Sequence, residues 1–289
     1  MNSGTINSIL ARCIVEPAFL DQLVQDPSGA LRGYALDPQI YSDFLKLDIA
    51  RLRNFAGLVT KVQNNGLWEQ FLHTRTLLNY YRIDLEVFTA YRDTHLQNRH
   101  SRLSHNQQIE RFLSFLQEYI EAKYSAYPAL REILSHEQLT WEIRLSFSTG
   151  KRMLSNGRKI DVSSLKYEQL MNLIPVIWGE MRVEEFTYDP LEVISKLSQG
   201  SFDPRQLSAQ PRWLGYWADN STEQLRILEL DLPIAMLLRQ INGRRSVRTL
   251  IRRVVKGAQS DLRPSEFRPF LEMAFGEGAL TTVADSHAC

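Results

Sequence analysis

At 289 residues, 44% hydrophobic and 23% charged, the chain carries enough apolar material for two or three packed domains and lacks the charge-rich composition of disorder. Its net charge of +1 gives no long-range attraction for nucleic acid, so any such attraction has to come from local clustering. No run approaches the roughly 20 apolar residues of a membrane span. Met1–Leu10 lacks a secretory pattern, and Cys13 and Cys289 supply neither a disulfide framework nor a zinc cluster. The expectation is a cytoplasmic protein without membrane contact.

From Thr5 to about Phe147 the apolar residues recur at three- and four-residue steps, the period of helices with one buried face. Ile6, Ile9, Leu10 and Cys13 make a first stripe; Phe19, Leu20, Leu23 and Val24 make a second. Asp37 and Pro38 open a longer helix, predicted to run through Ile40, Phe44, Leu47, Phe55 and Leu58 to Val62. Further helices are predicted over Leu77–Leu96, Asn106–Tyr124 and Ala129–Phe147.

Nothing in this half announces catalysis. His95, His100 and His105 are spaced by five residues, which sets successive side chains roughly 140° apart on a helix and argues against a shared metal. Gly150, Lys151 and Gly157 lack phosphate-loop spacing, and no nucleophile elbow or paired-carboxylate pattern is present. No metal, no cofactor and no catalytic residue is expected in this chain.

The final third changes character. Met181–Asp189 reads as a strand with a phase change that suggests a bulge, and Asp189 caps a short helix over Pro190–Leu197. Arg212–Asp219 is a strand with Trp213 and Trp217 on one face, Leu214 and Tyr216 on the other; the polar turn Asn220–Glu223 leads into a partner strand, Leu225–Leu230. Three helices follow. Asp231 caps the first, Ser246–Lys256 forms the second, and the third begins near Ser265; Ala279–Val283 closes as an extended segment. The predicted class is α+β, mostly α: a helical domain over 1–150, a linker over 151–180 and a winged helix-turn-helix over 181–289.

Between Asp231 and Asp261 no acidic residue occurs, while Arg248, Arg252 and Lys256 lie one turn apart on the second helix. A winged helix-turn-helix with a basic face is compatible with a DNA-binding transcriptional regulator, the alternative reading. Against it, the helix that should read bases offers Glu266, Phe267 and Pro269, with only Arg263 and Arg268 as donors, so nucleic acid is not the expected partner.

The run from Leu228 to Leu280 (LELDLPIAMLLRQINGRRSVRTLIRRVV, then EFRPFLEMAFGEGAL) resembles the winged-helix recognition elements of ribosomal-peptide maturation. With the helical half, the strand ending in Tyr188-Asp189-Pro190 and the Trp-rich strand, the whole chain resembles the partner subunits of multinuclear non-haem iron oxidases, in the branch that acts in the 3-thiaglutamate pathway. The resemblance implies a non-catalytic subunit of a heterodimer. It would bind the leader of a ribosomally made precursor peptide and present a C-terminal cysteine to an iron-bearing TIM-barrel oxidase for oxidative modification, such as excision of the β-carbon. The leader would add as a strand beside Leu225, Arg226, Ile227, Leu228, Glu229 and Leu230, over side chains drawn from Phe267, Phe270, Leu271 and Phe275. Arg248 and Arg252 would meet acidic leader residues, and Trp68, Tyr80, Tyr81 and Tyr91 would face the oxidase, whose iron is the complex's only expected cofactor.

Overall fold

The structure, a computed structural model, describes residues 3–63, 65–95, 103–148, 161–162, 164–219, 224–257 and 262–282. It is mostly helical with small antiparallel sheets, the expected α+β class, and divides into two units, Met1–Leu134 and Ser135–Cys289. The division falls within a helix rather than at residue 150.

The first unit is built from α1 (Ser3–Val15), α2 (Pro17–Gln25), α3 (Pro27–Leu31), α4 (Pro38–Leu45), α5 (Ile49–Gln63), α6 (Asn65–Trp68), α7 (Leu72–Tyr80), α8 (Asp84–His95), α9 (His105–Tyr124) and the start of α10 (Leu130–Ser148). Pro17, Pro27 and Pro38 occupy first turns, where a missing N–H removes nothing from the helix. Asp26 and Asp37 accept hydrogen bonds from the amides of Gly29 and Gln39, at 2.9 and 2.8 Å. A reciprocal box opens α9: the Gln107 amide donates to Ser104 Oγ and the Ser104 amide to Gln107 Oε1. His105 therefore begins a helix, while His100 lies outside the described residues.

Two long helices expected from periodicity are each interrupted. The run through Val62 breaks after Leu45, because Asp48 turns its carboxylate onto the Arg51 amide at 3.0 Å and starts a new helix. Re-phasing leaves Phe55, Leu58 and Val62, expected in the core, 51, 45 and 68% exposed. Leu77–Leu96 breaks at Arg82, whose φ of 59° is left-handed. The buried interior forms around Ile9, Cys13, Phe19 and Leu20, and around Trp68, whose ring meets Phe88 and Phe112 at centroid distances of 5.0 and 4.9 Å. Each such fully buried side chain contributes roughly 1.5–3 kcal/mol.

In the second unit, α11 (Tyr167–Asn172) and β1 (Pro175–Ile177) precede β2 (Met181–Phe186), α12 (Pro190–Ser198), β3 (Arg212–Asp219), β4 (Gln224–Leu230), α13 (Leu232–Gln240), α14 (Val247–Gly257), a 3₁₀ turn at Pro264–Phe267, α15 (Arg268–Gly276) and β5 (Leu280–Thr282). The main sheet has the antiparallel order β2-β3-β4, and β1 pairs with β5. β2 runs in unbroken register from Met181↔Trp217 to Phe186↔Arg212, so the expected bulge is absent. Val162, Leu170 and Met171 lie in the core of this unit, so part of the expected linker, 151–180, belongs to the fold; residues 151–160 are outside the described ones.

Alternation along the strands clothes both faces of the sheet. Val183, Trp213, Trp217, Leu228 and Leu230 pack with α13, α14 and α15, whereas Phe186, Leu214, Tyr216, Leu225 and Ile227 pack with Leu139 and Ile143 of α10. Gly215 lets Leu230 cross β3 closely, since a Cβ there would stand 2.9 Å from Leu230 Cδ1. Asp189 caps α12 through the amides of Leu191 and Glu192 as expected; Asp231 precedes α13 without a side-chain cap bond.

Candidate functional site

With both faces covered, the sheet's margins are where it can still form backbone hydrogen bonds. Their polarity follows from one bond. Ala218 N donates to Glu180 O at 3.1 Å, directly opposite in the β2–β3 register, so Arg212, Leu214, Tyr216 and Ala218 direct their backbone groups toward β2. Trp213, Gly215, Trp217 and Asp219 must then face β4, where they meet Leu230, Leu228, Arg226 and Gln224. The alternate residues Leu225, Ile227 and Glu229 aim their N–H and C=O groups away from the sheet.

The two margins are not equivalent. On β2 the same alternation turns the Val183 carbonyl outward, and the Arg239 guanidinium donates to it from Nε and Nη2 at 3.2 and 2.8 Å. Arg239 is held there by stacking over Trp213 at 4.5 Å and by Glu184 at 3.9 Å. On β4 no backbone group bonds to backbone outside the β3 ladder among the described residues. β4 thus presents three outward donor–acceptor pairs, the template an added strand requires. Glu229 is tied across the ladder to Arg212 at 2.6 Å, and Arg226 and Glu229 are exposed at its flanks.

The apolar residues expected to line a groove divide sharply. Phe267, Leu271 and Phe275 are at most 1% exposed and hold the core together, so they are not available to a guest; Phe270 alone is half-buried, at the margin of the same core as Leu228. Their helical spacing makes all four a single apolar stripe in the sequence, which hides that distinction. Arg248 pairs with Glu168 of α11, whereas Arg252 is exposed with no ion pair among the described residues. α14 itself is strongly two-faced, burying Val247, Leu250, Ile251 and Val254 and exposing Arg252, Arg253 and Lys256.

Sequence reasoning missed two polar anchors. Arg239 lies in the stretch between Asp231 and Asp261 that holds no acidic residue, where nothing local marks it as the cation tied to the sheet. His136 and Tyr216, far apart in the chain, share a buried hydrogen bond of 2.7 Å between Nδ1 and the hydroxyl, which fastens α10 to the sheet. Burial pushes the Tyr216 phenol far above its ordinary value, so the hydroxyl keeps its proton.

In the helical unit, the four aromatic residues expected at a partner interface also divide. Trp68 and Tyr91, 0 and 5% exposed, are core residues and present no surface; Tyr81 is half-buried with its hydroxyl donating to the Pro128 carbonyl at 2.9 Å, and Tyr80 is exposed. Among the described residues, no group of three or more His, Cys, Asp and Glu side chains is placed to hold a metal ion, and no helix is long and apolar enough to cross a membrane. No protein-family model matches the chain, and no curated protein matches it either.

Proposed function

We propose that this chain is a non-catalytic partner subunit of a multinuclear non-haem iron oxidase, and that it captures the leader of a ribosomally made precursor peptide as a fourth strand on β4. In this reading β2–β4 with α13, α14 and α15 form a winged-helix recognition element, and the helical unit engages the oxidase. The observation that carries the proposal is the asymmetry of the two margins: Arg239 occupies an outward carbonyl of β2, while among the described residues no backbone group pairs with Leu225, Ile227 and Glu229 on the β4 side. Backbone bonds at that margin would give affinity, and alternate side chains would set register against Arg226, Leu228 and Phe270 on one face and Leu225 and Ile227 on the other.

The experiment is amide hydrogen exchange on the purified chain with and without the leader of a ribosomally made precursor peptide, after co-purification with a multinuclear iron oxidase. Free, the amides of Leu225, Ile227 and Glu229 exchange fast while those of Arg226, Leu228 and Leu230 are protected by β3. The leader slows the first set. Unchanged exchange at those three amides under saturating peptide removes the strand-addition reading.

A further inference from the structure

The positive charge of α14 has no counterpart within its own unit. Arg182, Lys196, Arg212 and Arg268 each sit against a glutamate, and Arg248 is held by Glu168. Arg252, Arg253 and Lys256 are exposed and, like Arg244 and Arg245 in the turn that enters the helix, make no ion pair among the described residues. The chain offers them no local acid either, since none occurs between Asp231 and Asp261. At 3.6 residues per turn, Arg252, Lys256 and Arg253 fall within an arc of roughly 100°, opposite the buried side chains of Val247, Leu250, Ile251 and Val254.

This arrangement works against the helix that carries it. Arg248, Arg252 and Lys256 follow one another at four-residue steps, where like charges repel, and Arg248 stands in the first turn, against the macrodipole. Packing gains nothing from them, because the four buried aliphatic residues, each at most 1% exposed, supply the contact with the core. A face that only has to be solvated mixes both signs, whereas this one carries a single sign and calls for an external counter-charge.

The surroundings select the kind of anion. Single-stranded nucleic acid is held by aromatic platforms, and no aromatic residue occurs from Asn242 to Gly257. α11 and the 3₁₀ turn, which pack against α14, carry the exposed Glu168 and Glu266, so a phosphate backbone running on past the helix meets acidic neighbours. A membrane surface needs apolar side chains to insert, and those of α14 point into the core. A short tract of carboxylates suits the forked guanidinium donors and fits within the face.

We propose that the outward face of α14 docks a carboxylate-rich segment of a partner polypeptide, anchored by Arg252, Arg253 and Lys256 and flanked by Arg244 and Arg245. The contact uses no group of β4 and does not rest on the strand-addition reading.

The probe is an oligoglutamate peptide titrated at low salt into the ¹⁵N-labelled full chain, followed through the arginine Nε–Hε and backbone amide signals. Saturable shifts confined to residues 244–257 are expected. Arg252→Glu and Arg253→Glu each weaken binding by about tenfold, since a like charge then faces the ligand. Arg205→Glu, which makes the same change in net charge at an exposed cation on another element, leaves the affinity as in the parent. Thermal melts equal to the parent's show that the variants are folded. No binding, shifts spread beyond α14, or equal weakening in Arg205→Glu overturns the proposal. So does tighter binding of a single-stranded oligonucleotide, a DNA duplex or phosphatidylserine vesicles than of oligoglutamate. Because no leader is used, such a failure leaves the β4 reading standing, and the exchange experiment can fail without touching α14.

Discussion

Proline substitution along β4 separates the open margin from the ladder by parity. Glu229→Pro removes one outward N–H and sets a ring on the margin, yet leaves every bond to β3, since the ladder uses Gln224, Arg226, Leu228 and Leu230. The lost ion pair with Arg212 involves side chains 44 and 56% exposed and contributes about 0–1 kcal/mol, so thermal stability drops only slightly. A guest strand loses more. One backbone hydrogen bond is worth about 0.5–1.5 kcal/mol net, and the ring also keeps the guest at a distance; at 1.4 kcal/mol per decade, leader affinity weakens by about tenfold or more. Glu229→Ala, which keeps the N–H, binds as the parent does. Arg226→Pro behaves oppositely: it strips the donor that faces Trp217, leaves a buried carbonyl unpaired and destabilises the unit by about 1–3 kcal/mol. Calorimetric titration with the leader and thermal melts read both effects. Parental affinity in a folded Glu229→Pro protein would refute docking at this margin, and equal melts for Glu229→Pro and Arg226→Pro would refute the parity on which it rests.

Other outcomes follow from burial. Tyr216→Phe leaves His136 Nδ1 without its hydroxyl partner and lowers stability by about 1–3 kcal/mol, at about 2–4 °C of melting temperature per kcal/mol; an unchanged melt would show that this bond does not hold α10 to the sheet. Cys13 is 0% exposed and burial pushes its thiol up to about 11, so it resists thiol reagents at neutral pH and reacts on unfolding; rapid labelling of the native protein would contradict that. Trp68→Ala costs about 3–5 kcal/mol in the melt, whereas Tyr80→Ala changes stability by about 0.5 kcal/mol or less and is the variant whose loss of oxidase co-purification would report an interface. Charge reversal at Arg252 and Arg253 leaves a strand-added leader's salt dependence shallow; a steep slope of log affinity on log salt, abolished by the reversal, would favour a polyanion instead.

Much of the C-terminal unit was legible because its signals are local. Trp213 and Trp217 against Leu214 and Tyr216 gave the two faces of β3, and Val247, Leu250, Ile251 and Val254 gave the buried face of α14. The missed features are non-local. β1 is three residues long and exists only because Leu280–Thr282 returns to it, so no window of sequence contains its cause. Asp48 and Arg82 each interrupt a sound helical period, since one cap bond or one left-handed residue outweighs a weak propensity. The candidate strand β4 could be named from the sequence, but not which of its residues face outward, because that parity depends on the register with β3 and hence on β2.

The surface chemistry of α14 and α15 bears on the competing nucleic-acid reading. A helix-turn-helix reads DNA through the N-terminal side chains of its last helix, supported by phosphate contacts from the elements around it. Here Phe267 is buried just before α15, Glu266 accepts from the Arg263 amide at 2.7 Å, and Arg268 is neutralised by Glu272 at 2.6 Å. Arg252, Arg253 and Lys256, exposed on α14 and in no ion pair among the described residues, put the positive charge on one helix, whereas base reading in that motif would fall to another. Phosphate would be drawn to a face with no base-reading partner. A peptide strand on β4 needs neither, because its affinity comes from backbone groups whose direction is fixed by the sheet itself, and it leaves the α14 cations to a separate acidic contact.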